Sequence, residues 1–152
     1  MRIAIAATFV LVAATLAYAD DSCSKAYSNA KEVEGTTQCR VGAEAGNAEA
    51  QFGYALVLWS GHGRKARPRE ALEWFRKAAR QGHLLSRVTL GRLLSSEEAA
   101  PGLRAKAEGY AWWVAAGEKD AAASLKLTFS PTESVRAEQL AQQFTTAYGP
   151  SR

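Results

Sequence analysis

The chain has little of what most catalysts and metal proteins need. It holds two cysteines, Cys23 and Cys39, and two histidines, His62 and His83, too few and too scattered for a metal site. No G-x-S-x-G, H-E-x-x-H or phosphate-cradling glycine loop occurs. Adjacent Glu97 and Glu98 sit in a loop and do not converge on one substrate atom. With no nucleophile beside a base, the chain reads as a non-enzyme with neither metal nor cofactor. C-x-x-C is absent as well, which argues against a thiol redox pair. Beyond residue 19 no apolar run approaches the ~20 residues that a spanning helix needs.

One apolar run is present, at the N-terminus. Arg2 precedes an apolar stretch from Ile3 to Leu16, and Ala17-Tyr18-Ala19 precedes Asp20. That order predicts a secretory signal peptide over residues 1–19, cleaved after Ala19. A membrane anchor is the rival reading, but the run is short for it. The remaining residues, 20–152, are expected in the periplasm or secreted, with no stable membrane insertion. An oxidising compartment favours a disulfide between Cys23 and Cys39. Closing a loop of about 15 residues stabilises by ~3 kcal/mol, so the bond reads as a staple for the N-terminus.

What the chain does have is a repeat. Gly46-Asn47-Ala48-Glu49-Ala50 matches Gly82-His83-Leu84-Leu85-Ser86 after a shift of 36 residues, which also takes Tyr54 to Leu90 and Leu58 to Leu94. Trp74-Phe75 and Ala78-Ala79 match Trp112-Trp113 and Ala116-Gly117 after a shift of 38. Such a period holds two helices and two turns. Ala50, Tyr54 and Leu58 recur at helical spacing, and Gly61-His62-Gly63 ends that helix. Pro68 suits the first turn of the next. Along it Ala71, Trp74, Phe75, Ala78 and Ala79 form an apolar stripe, with Arg69, Arg76, Lys77 and Arg80 expected to face water. Leu58, Trp74, Phe75, Leu90, Trp112 and Trp113 are the candidate repeat core.

The stretch from Ala43 to Gly82 resembles a Sel-one-like repeat, a relative of the tetratricopeptide repeat. The matching positions are Ala50-Gln51, Tyr54-Ala55, Gly61-x-Gly63, Glu70-Ala71, Trp74-Phe75, Lys77-Ala78-Ala79 and Gly82. The second copy keeps Leu90-Gly91 and Trp112-Trp113, with a longer loop at Ser95–Gly102. The resemblance implies an all-α fold: a short α-solenoid of two to three helix hairpins with a C-terminal capping helix. The expected division is an N-terminal helical cap over 20–45, a degenerate hairpin including a helix at 24–34 and held by the disulfide. Repeats over 46–130 and a capping helix with tail over 131–152 follow. It further implies a non-catalytic, monomeric interaction module that binds another protein. Exported members also include immunity proteins against secreted toxins and regulators of envelope signalling proteins, and an envelope hydrolase remains a third class.

Charge points to where a partner would sit. Nine basic residues between Arg64 and Arg92 face only Glu70 and Glu73. The segment is either a solvated face or an electropositive surface for an acidic partner. Nucleic acid is excluded by export and by the lack of interleaved aromatics. The resemblance puts the first helix of each hairpin on the partner-binding side. The candidate partner residues are Gln51, Trp59, His62, Arg64, Arg67, Arg80, Arg87 and Arg92. Trp59 is singled out because its counterpart in the second copy is Ser95, so packing does not demand an aromatic there.

Overall fold

The structure, a computed structural model, describes residues 33–61, 65–96 and 103–149. The leader, Cys23, most of the helix expected over 24–34, His62 and Arg64 lie outside the described residues. Among the described residues there are seven helices and no strand, a short α-solenoid of helical hairpins with a closing C-terminal helix. The chain divides into two compact units, Met1–Trp74 and Phe75–Arg152.

In the first unit, α1 (Val33–Glu44) and α2 (Ala48–Ser60) form an antiparallel hairpin. Gly46, at φ 93°, closes α1 in the left-handed region, where a side chain would be strained. The Asn47 side chain then accepts a hydrogen bond from the Ala50 N–H at 2.8 Å and starts α2. Gly61, at φ 76°, ends α2 by donating its N–H to Val57. Cys39, Ala43, Ala50, Tyr54, Ala55 and Leu58 fill the core. Helix α3 (Pro68–Arg80) begins here on Pro68, and its Trp74 meets Tyr54 edge to face at 5.5 Å.

The second unit holds the end of α3, with Phe75, Ala78 and Ala79 fully buried. Gly82, at φ 92°, closes α3, and His83 caps α4 (Leu84–Ser95) by accepting from the Ser86 N–H at 3.2 Å. Helix α5 (Leu103–Ala116) packs along α4 at very short range. A Cβ added to Gly91 would stand 2.3 Å from Trp113 Cδ1, and one on Gly109 would stand 3.0 Å from the Gly91 carbonyl oxygen. Only glycine at both positions lets the two helices approach so closely. Gly117, at φ 84°, closes α5 before the short α6 (Lys119–Lys126).

The last helix, α7 (Pro131–Tyr148), is started by a capping box. Ser130 Oγ accepts from the Glu133 N–H at 3.4 Å, and the Glu133 carboxylate accepts from the Ser130 N–H at 2.7 Å. Ala137 and Ala141 of α7 sit against α5, while Phe144 and Tyr148 enclose the Trp112 ring at centroid distances of 4.6 and 5.6 Å. Arg76 does not face water as its helical position suggested. It is about 19% exposed and holds the Glu108 carboxylate with two bonds of 2.7 and 2.8 Å, and Trp112 Nε1 donates to the same carboxylate. The pairing turns a surface-type arginine into a clasp between α3 and α5.

Candidate functional site

Two residues expected on an open partner-facing wall are buried. Gln51 is 5% exposed and Arg87 is 0% exposed. The reason is the closing turn that precedes each of them. Gln51 Nε2 donates at 3.2 Å to the carbonyl of Ala43, eight residues back in the last turn of α1. Arg87 Nε donates at 3.0 Å to the carbonyl of Ala79, eight residues back in the last turn of α3. Each side chain adds a second donor to a helix-end carbonyl that already accepts the N–H of the closing glycine, Gly46 to Ala43 and Gly82 to Ala79, both at 3.1 Å.

Arg87 goes further. Its Nη1 donates to the carbonyls of Ala115 at 2.8 Å and Gly149 at 2.9 Å, and its Nη2 to that of Tyr148 at 2.9 Å. One guanidinium therefore joins the C-terminal ends of α3, α5 and α7. No carboxylate of a described residue pairs with it. The negative poles of three helices do so instead, each carrying about half an elementary charge. Burial pushes the Arg87 pKa down from its ordinary value, yet arginine remains protonated in proteins. This side chain organises the second unit and commits four of its five N–H donors to backbone carbonyls.

The remaining candidates are at the surface. Arg67 is exposed and pairs with Glu70 at 2.9 Å, an exposed i,i+3 contact of little energetic weight. Lys65, Arg69, Arg80 and Arg92 are exposed and in no ion pair with a described residue. The first unit thus presents Lys65, Arg67 and Arg69, and the second presents Arg80 and Arg92. Trp59 is half-buried in the last turn of α2. His62 and Arg64 lie outside the described residues, so their candidacy stays as the sequence left it. Among the described residues no group of three or more His, Cys, Asp or Glu side chains could hold a metal ion. His83, the one described histidine, is occupied as a helix cap.

Sequence reasoning missed a groove in the second unit. It runs along α7 with a volume of about 490 Å³. Ala107 of α5, with Phe129 and Leu140, forms an apolar floor, and Glu133, Arg136, Gln139 and Gln143 form a polar wall. The signal in the sequence was the spacing of Arg136, Gln139 and Gln143, polar residues at three and four positions apart beside an apolar stripe. The Glu133 carboxyl is held below the usual range chiefly by the Ser130 backbone N–H, with Lys106 and Arg136 adding to the effect. It is therefore ionised and committed to the cap, whereas Arg136 is exposed and forms no ion pair with a described residue.

No protein-family model matches the chain, and no curated protein matches it. Among solved structures it is similar to a protective antigen present in uropathogenic Escherichia coli strains, whose crystal structure displays an SLR fold. The likeness has a TM-score of 0.67 at 25% sequence identity and covers 76% of this chain. It spans 26% of the antigen, so this chain corresponds to about a quarter of that protein's length.

Proposed function

We propose that this chain, a Sel-one-like repeat protein by its fold, works without catalysis as an interaction module that binds another protein outside the cytoplasm. The fold carries the reading, since the likeness to an SLR-fold structure extends over 76% of the chain. Helical-repeat scaffolds serve mainly as binding surfaces, and function in them lives in exposed side chains. Removal of the leader after Ala19 delivers residues 20–152 to the periplasm or beyond. There Cys23 pairs with Cys39, whose complete burial supports a structural bond over a reactive thiol. The exposed arginines support an acidic partner. Arg67 of the first unit and Arg80 and Arg92 of the second supply the charge, and Trp59 of the first unit supplies an aromatic anchor.

The test is affinity capture. The full chain is expressed with its own leader and a C-terminal tag, and captured from its native envelope. A second chain carries Arg67→Glu, Arg80→Glu and Arg92→Glu. Arg87 is left intact, because its loss would destabilise the second unit and could mimic lost binding. The expected result is an acidic protein enriched by the parent and lost, or released by salt, with the variant. Equal enrichment by both chains would discard the basic surface, and no enrichment at all would discard the adaptor reading.

A further inference from the structure

We draw no further inference here: the strongest candidate, the His83 side chain at the turn between α3 and α4 as an acid-sensitive cap, loses the Ser86 N–H at 3.2 Å on protonation but gains Ser86 Oγ at 2.9 Å as an acceptor, so the geometry gives proton uptake no defined sign.

Discussion

Replacing Arg87 with methionine keeps most of the buried stem and removes all four hydrogen bonds. Hydrogen bonds from a charged group contribute ~1.5–3 kcal/mol each, so the gross loss is large. Against it stands the cost of burying the guanidinium, several kcal/mol, which disappears with the charge. The Ala115 carbonyl belongs to a buried residue and cannot simply turn to water, whereas the Ala79 carbonyl keeps the Gly82 N–H at 3.1 Å. An orphaned buried acceptor costs ~1–3 kcal/mol. The expected net loss is therefore about 3–5 kcal/mol, the range found when one side of a buried charged contact is removed. Set against a total stability of ~5–15 kcal/mol, the variant should be marginal at room temperature.

Urea unfolding followed by circular dichroism reads this directly. With a slope of ~2 kcal/mol per molar, the midpoint should fall by about 1.5–2.5 M. Thermal unfolding should come about 10–20 °C earlier. A smaller slope would mean that α7 has already detached in the native state. Arg87→Lys separates charge from geometry: an ammonium reaches one or two of the carbonyls, so an intermediate loss is expected. A methionine variant with a midpoint within roughly 0.3 M of the parent, below the error of a ~1 kcal/mol effect, would refute the three-helix clasp.

Gly91→Ala should destabilise by about 1–3 kcal/mol through collision with Trp113, although the same change on an open helix face stabilises; adding Trp113→Ala should cancel part of that loss in a double-mutant cycle of urea midpoints. Glu133→Ala should lower the melting temperature at neutral pH. Because its folded pKa lies below the ordinary value of 4.5, the gap to the parent should hold above that pH and shrink as pH falls through the lower folded value. A gap that does not change with pH would remove the carboxylate from the cap. Reduction with dithiothreitol should cost about 3 kcal/mol in the parent and nothing in Cys23→Ser, and intact mass under non-reducing conditions should show the oxidised chain.

The fold was legible in the sequence because its cues are local and periodic. Gly46 and Gly82 recur after 36 residues, Pro68 and Pro131 mark first turns, and the Trp-Phe and Trp-Trp pairs return in register. The groove was not legible, since its floor joins Ala107 to Phe129 and Leu140 across three elements, and only packing brings them together. Arg87 is the instructive error. The repeat register correctly aligned it with Gln51, but a cation within a basic segment was read as surface.

The better clue was its distance from the closing glycine. Gln51 stands five residues after Gly46, Arg87 five after Gly82, and Ala122 five after Gly117. That position faces the preceding helix end in the first two copies. Glutamine places its carboxamide N–H on the Ala43 carbonyl. Arginine has the reach and the planar fork to serve the homologous carbonyl and three more, on helices 28 to 62 residues away in sequence. Alanine in the third copy has no donor and is packed within the apolar cluster of α5, α6 and α7. Charge at this position therefore tracks how many helix ends converge there, not what the protein binds. An arginine-to-glutamine exchange at residue 87 should retain the Ala79 contact while releasing α7, visible as faster amide exchange at Tyr148 and Gly149 than at Ala79.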